Sequence, residues 1–379
     1  MRDARGEPIT DADVTVAQRS HAFGFGNIGF EPLGELAELW LHLFNSSTLP
    51  FYWQPFEPVR GRPDTQRLLA AAQWFVDRGV RVKGHPLVWH TLAPQWALSL
   101  DPSEVEDLVR QRIRREVGDF RELATQWDVI NETVILPDFD HEANAITTLA
   151  RAVGRQRVIA LAFEEARAAD PTATLLINDF DLGDDYERII GESLAAGVSI
   201  DAIGLQTHMH QGFRGEDELL AIADRFSRFG LPLHFTETTL LSGDLMPGEI
   251  VDLNDYVVDE WPSTPEGEQR QADELERHYR ALVGHPAVES ITCWGFTDDG
   301  AWLGAPAGLV RSDGTPKPAY DRLASLVKGE WWLPPTVRRT DGSGRLEVSG
   351  FRGEYELADG SRAAVLTLGA NGDLDAVLR

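Results

Sequence analysis

The 379-residue chain has a single cysteine, Cys293, so it can form no internal disulfide and offers no cysteine cluster for a metal. The setting of that thiol, Ile291-Thr292-Cys293-Trp294, is apolar and marks a buried structural residue. Long hydrophobic runs are missing too: nothing approaches the roughly 18 apolar residues of a membrane-crossing helix. The N-terminal stretch MRDARGEPITDADVTV lacks the apolar segment of a secretory signal. The expected location is therefore cytoplasmic, or extracellular after removal of a leader. Positive charge is scarce, with 35 Lys and Arg against 61 Asp and Glu and a formal net charge of −26. Such a surface repels phosphate backbones and anionic lipid, so neither nucleic acid nor a membrane is an expected partner. A neutral ligand fits better.

What is present is an ordinary globular composition, 42% hydrophobic and 25% charged, enough to bury a sizeable core. Eight short apolar runs of strand character occur at 21–26, 43–51, 80–89, 127–132, 174–180, 202–208, 232–238 and 291–297. Between them lie helix-like stretches at 64–78, 102–123, 142–169, 185–196, 216–229, 266–283 and 317–328. Strand–helix alternation of this count predicts an α/β fold, a closed (β/α)8 barrel over residues 21–330. An open doubly wound sheet would carry a longer glycine-rich loop than Gly24-Phe25-Gly26-Asn27 after its first strand. The chain ends read differently. GRLEVSG (344–350), GEYELADG (353–360) and AAVLTL (363–368) alternate between Gly/Asp/Ser turns, which predicts a small antiparallel β-appendage over 331–379. The segment 1–20 is the candidate strand that completes it.

In such a barrel the active site lies at the C-terminal strand ends, so polar residues there are informative. The expected strand ends bring forward Asn45, His85, His90, Asn131, Glu132, Asn178, Gln206, His208, Glu237 and Asp298. An unpaired carboxylate at the end of a core strand is costly, so it has a use beyond folding. Glu132 and Glu237 follow the fourth and seventh strands, on opposite sides of the barrel mouth. A pair facing across a sugar at about 5–5.5 Å is what a retaining glycosidase needs. One is a protonated acid at the leaving oxygen, the other an ionised nucleophile. Asn131 is placed to bond the sugar 2-hydroxyl, and His208 to orient the nucleophile. Trp89, Trp96, Trp294 and Trp302 offer flat faces for sugar rings. His208-Met209-His210 could begin the site of a metal-dependent barrel hydrolase, but in such sites the His-x-His pair more usually follows the first strand, with other ligands on later strands. Neither a metal nor a cofactor is expected.

These residues sit in motifs that resemble glycoside hydrolase family 10, the β-1,4-xylanases of clan A. The matching stretches are GHPLVWH (84–90), WDVINE (127–132), INDF (177–180), DAIGLQTH (201–208), HFTE (234–237), WGFTDDGAW (294–302) and PKPAYDRL (316–323). The resemblance implies a retaining (β/α)8 hydrolase of xylan or xylo-oligosaccharides. It assigns acid/base duty to Glu132 and nucleophile duty to Glu237, with sugar contacts at His90, Asn131, Gln206, His208, Trp294 and Trp302. Three features depart from the family pattern. Phe51, Tyr52 and Trp53 stand where that family has a polar set after the second strand. Thr239 replaces an aspartate two residues past the nucleophile, and a long acidic loop fills roughly 241–265. The aromatic segment shifts the expected substrate toward a shorter or partly apolar β-glycoside.

Overall fold

The computed structural model describes residues 1–30, 33–360, 362–369 and 374–379. It divides into two compact units, one formed by Phe25–Ala319 and the other by Met1–Gly24 with Tyr320–Arg379.

The larger unit carries the barrel. Its strands are β3 (Gly24–Ile28), β4 (Ser46–Pro50), β5 (Arg81–His85), β6 (Ala124–Asn131), β7 (Thr174–Asp179), β8 (Ala202–Met209), β9 (Leu233–Leu240) and β10 (Val288–Cys293). They pair in parallel and in sequence order, and β10 meets β3 to close the ring. Parallel strands covered on both faces need near-continuous apolar runs; all eight positions of β9 are buried. The helices are α1 (Ala37–Leu43), α2 (Trp53–Phe56), α3 (Thr65–Val76), α4 (Pro102–Asp119), α5 (Ala145–Val153), α6 (Arg155–Ala169), α7 (Asp184–Ala195), α8 (Glu216–Ser227) and α9 (Pro265–Val283); α10 (Pro318–Ala324) begins in this unit and has most of its residues in the other. Local chemistry starts several of them. Thr264 caps α9 through its bond to the Gly267 N–H, ahead of Pro265 in the first turn.

The eight strands expected from the sequence are present, with shifted ends. The apolar run 43–51 contains the last residue of α1 and begins its strand only at Ser46. The stretch 142–169 is two helices, because Gly154 adopts φ +91° between them, a conformation that ends a helix and suits glycine.

The smaller unit holds an antiparallel sheet in the order β11 (Thr336–Arg339), β2 (Asp13–His21), β12 (Gly353–Ala358), β13 (Ala363–Leu368). A short parallel pair, β1 (Arg2–Asp3) with β14 (Val377–Leu378), lies beside it in sequence terms at both chain ends. The N-terminal strand is therefore central to the sheet, and Val14, Val16, Tyr355, Leu357 and Leu378 form its core. GRLEVSG (344–350) is not a strand. Leu346 and Val348 do pack against the core, but both edges of β2 are already paired, by β11 and β12.

Candidate active site

Two backbone irregularities set up the centre. Consecutive strand residues normally point to opposite faces, yet Thr236 and Glu237 both reach Asn178: Thr236 Oγ1 donates to Asn178 Oδ1 at 2.6 Å and Asn178 Nδ2 donates to Glu237 Oε1 at 2.9 Å. The cause is a bulge, since Leu205 pairs with Phe235 while the next residue, Gln206, pairs with Glu237. The second irregularity is Glu132, at φ +56° immediately after β6. That left-handed conformation is costly for a residue with a side chain and is typical of functional sites. It lets Asn131 Nδ2 donate to the neighbouring Glu132 Oε1 at 3.1 Å.

From these positions a buried amide relay joins the two carboxyl groups. Asn131 Oδ1 accepts from Asn178 Nδ2 at 2.7 Å and from Gln206 Nε2 at 3.0 Å. Asn178 then continues to Glu237, so Glu132, Asn131, Asn178 and Glu237 form one hydrogen-bonded chain across β6, β7 and β9. Gly204 makes room for it, because a Cβ there would lie 2.3 Å from Asn178 Oδ1.

The two ends of the chain differ in electrostatics. Glu132 accepts from Trp89 Nε1 at 2.7 Å, and His90 Nε2 lies 3.4 Å away. Burial, then the negative charges of Glu237 and Asp179, push the Glu132 carboxyl up to about 8 against the pull of the Trp89 bond. Burial also holds His90 neutral, down at about 3, so it brings no positive charge to stabilise the anion. At Glu237 burial acts in the same upward direction. There the positive charge of His85, the bond from His208 and the charge of Lys83 outweigh it, and the carboxyl lies below its usual value. His208 Nε2 is 3.2 Å from Glu237 Oε2, and its Nδ1 is 3.3 Å from Thr239 Oγ1.

Aromatic rings surround the pair. Trp294 meets His85 edge-on at 5.2 Å and His208 at 6.3 Å, and Trp302 lies 4.8 Å from His208. Tyr52 stands 5.6 Å from Trp89 and 5.7 Å from His85, and Phe30 links Tyr52 to Trp294 at 6.1 and 6.4 Å. The negative charges of Glu237 and Glu132 both bear on the Tyr52 phenol, which burial foremost keeps protonated.

Four residues singled out from the sequence lie elsewhere. Asn45 precedes β4, at the opposite end of the barrel from Glu132: its Oδ1 accepts from the Phe25 N–H at 2.9 Å and from Arg81 at 3.2 Å. The helical start of the 43–51 run moved the strand past it. Trp53 is buried with its N–H on Glu57, and Trp96 donates to the Glu57 carbonyl, so both brace the segment after β4. Asp298 pairs with Lys317 at 2.6 Å and accepts from the Gly308 N–H, which ties down the loop after β10.

Sequence reasoning passed over Asp128 and Lys83, whose ion pair lies behind His85. A lysine in the middle of an expected barrel strand was the available signal, since such strands are covered on both faces and a buried ammonium needs a partner. Among the described residues, His141, Asp252 and Asp255 bring metal-ligating atoms within 4.8 Å of one another. They are exposed, and none belongs to the network just described.

The profile of glycosyl hydrolase family 10 matches residues 50–326. Anti-sigma-I factor RsgI6 of Acetivibrio thermocellus is 27% identical over 371 residues, covering 94% of this chain and 43% of its own length. An endo-1,4-beta-xylanase/feruloyl esterase of Xylanibacter ruminicola is 26% identical, and the match covers 39% of it. The chain thus spans less than half of these two relatives. Endo-1,4-beta-xylanase B of Thermotoga neapolitana is 26% identical over 290 residues, which are 73% of this chain and 78% of that one. Among solved structures, a GH10 protein from Paenibacillus barcinonensis superposes with a TM-score of 0.69 at 22% identity, covering 81% of this chain and 96% of the other. Xylanase 10B from Thermotoga petrophila, solved with xylobiose, gives 0.67 at 23% identity and covers 82% and 95%.

Proposed function

The chain belongs to glycosyl hydrolase family 10, and we propose that this glycoside hydrolase cleaves β-1,4-xylosidic bonds in xylan or xylo-oligosaccharides with retention of configuration. The observation that carries the reading is the opposite protonation bias of two carboxyl groups in one network, Glu132 up at about 8 and Glu237 below its usual value. Groups whose surroundings drive them apart in this way are an acid and a nucleophile. The xylan substrate rests on relatives such as the Thermotoga neapolitana xylanase.

In the first step Glu132 gives its proton to the glycosidic oxygen while Glu237 attacks the anomeric carbon, releasing the aglycone and leaving a glycosyl ester. The ester carries no charge, so one of the influences raising Glu132 disappears. Glu132, now ionised, takes a proton from water, which attacks the same carbon and frees Glu237. Asn131 would bond the sugar 2-hydroxyl, and His90, Gln206 and His208 would supply further polar contacts. Trp294 and Trp302 would provide the stacking faces.

Glu237→Ala is expected to lose nearly all activity. Glu132→Ala should lose most turnover of natural substrates yet keep the glycosylation rate on activated aryl glycosides, which need no proton. Pre-steady-state bursts measure that step; an equally severe loss there would remove Glu132 from the acid role.

The Phe30–Tyr52–Trp89–Trp294 aromatic array favours a second reading, the same chemistry on a plant β-glycoside with an apolar aglycone. A chromatographic product profile on xylan, xylo-oligosaccharides and aryl β-glycosides separates the two. Fast depolymerisation of xylan would eliminate the second. A binding-only role predicts sugar affinity without turnover; the opposed carboxyl groups argue against it.

A further inference from the structure

Lys83 lies in the middle of β5 and is 3% exposed. An ammonium in that position is costly unless it is paired. Its Nζ is 2.7 Å from Asp128 Oδ2, and the same oxygen is 2.8 Å from His85 Nδ1. The other ring nitrogen, His85 Nε2, faces Glu237 Oε1 at 3.8 Å. Three strands thus contribute one buried row of charge: Lys83 and His85 from β5, Asp128 from β6, and Glu237 from β9.

Hydrogen-bond logic fixes the protons in this row. Burial opposes ionisation of Asp128, but the neighbouring Lys83 charge and the His85 bond outweigh it and hold the carboxyl below its usual value. An ionised Asp128 only accepts, so His85 Nδ1 carries hydrogen. Its Nε2 is then the atom turned toward Glu237 Oε1. Among the other groups near the row, His208 meets the opposite oxygen of Glu237, Oε2, at 3.2 Å. Tyr52 and Trp294 present edges to the imidazole. His234, from β9, is held neutral at about 3 by burial and then by the charge of Lys83. Arg81, at the start of β5, bears on His234 from the far end of the strand. Lys83 balances the Asp128 carboxylate, so the pair behind His85 turns no net negative charge toward the Glu237 anion. Remove the ammonium and it does.

We infer that Lys83 is a positioning residue: acting through Asp128 and His85, its buried ammonium keeps the Glu237 carboxylate ionised and oriented for attack. The inference rests on Glu237 being the nucleophile, which the test checks separately. The holoprotein is first treated with a 2-deoxy-2-fluoro glycoside, and the labelled peptide is identified by mass. Label on another residue would overturn the nucleophile reading and this inference with it.

Once Glu237 is identified as the labelled residue, the pH dependence of kcat/KM is measured on unlabelled wild type, Lys83→Met, Lys83→Arg and Asp128→Asn. Loss of the ammonium should move the acid limb up by about one pH unit. Lys83→Arg keeps the charge and should leave that limb in place. Asp128→Asn removes a negative charge and should leave it at or below its wild-type position. A purely packing role predicts no such dependence on sign. An unmoved limb in folded Lys83→Met, or an upward shift in Asp128→Asn, overturns the inference. Should Lys83→Met fail to fold, the Lys83→Arg and Asp128→Asn pair still decides it, since an upward shift in Asp128→Asn is excluded on this account.

Discussion

A carboxyl group used as an acid must keep its proton at working pH, and one used as a nucleophile must lose it. Glu132 and Glu237 are both buried, which alone would make both acids. Neighbours decide the difference: a neutral His90 and uncharged indole and amide donors beside Glu132, two imidazoles and a buried ammonium beside Glu237. The pH dependence follows with definite signs. Below about 8 Glu132 holds its proton, so kcat/KM should fall as pH rises through about 8. Glu237 is ionised above a value lower than the ordinary carboxylate range, so the acid-side loss should come late, in more acidic solution. Trp89 Nε1 donates to Glu132 and stabilises its anion. Trp89→Phe should therefore move the alkaline limb upward, by about half a pH unit or more. A downward shift in the kcat/KM profile would show that burial, and not this bond, sets the titration.

At the level of elements, the centre depends on places where regular geometry is broken. The bulge between β8 and β9 turns Thr236 and Glu237 to the same neighbour, and Gly204 on β8 leaves the space in which Asn178 sits. Gly204→Ala would put a methyl 2.3 Å from the Asn178 amide oxygen. Overpacking of this kind costs about 1–3 kcal/mol, and here it would push aside the amide that donates to Glu237. We expect kcat to fall at least tenfold while circular dichroism shows a folded barrel. Unchanged kcat in the folded variant would mean the amide relay is not needed for catalysis. These features explain what the sequence could and could not disclose. Strand periodicity and the motifs around Asn131-Glu132 and Thr236-Glu237 were legible because buried parallel strands and their polar ends leave a plain pattern. Asn45 was misplaced because an apolar run does not say where a helix ends and a strand begins. GRLEVSG looked like a strand because alternation reports a half-buried face, whereas a ladder also requires a free partner edge. The Lys83–Asp128–His85 row was not legible because it depends on the pairing of β5 with β6, which sets Asp128 beside two residues more than 40 positions earlier.

Over the whole molecule, the excess of negative charge acts on association rather than on the fold. The sheet unit contains its own core, in which Tyr355 is 2% exposed among Val14, Val16 and Leu357. Removing a buried aromatic side chain costs about 3–5 kcal/mol, so Tyr355→Ala should lower the denaturation midpoint of that unit. Chemical denaturation followed by hydrogen exchange at β2 and β12 measures the change; full protection in the variant would contradict the packing described. In the mechanism proposed for the barrel, Glu132 and Glu237 act on one sugar from opposite sides, close enough for a covalent intermediate. Proton NMR of the first-formed anomer during hydrolysis of a xylo-oligosaccharide tests it most directly. The account predicts that the β-anomer appears first and mutarotates later; initial release of the α-anomer would contradict it.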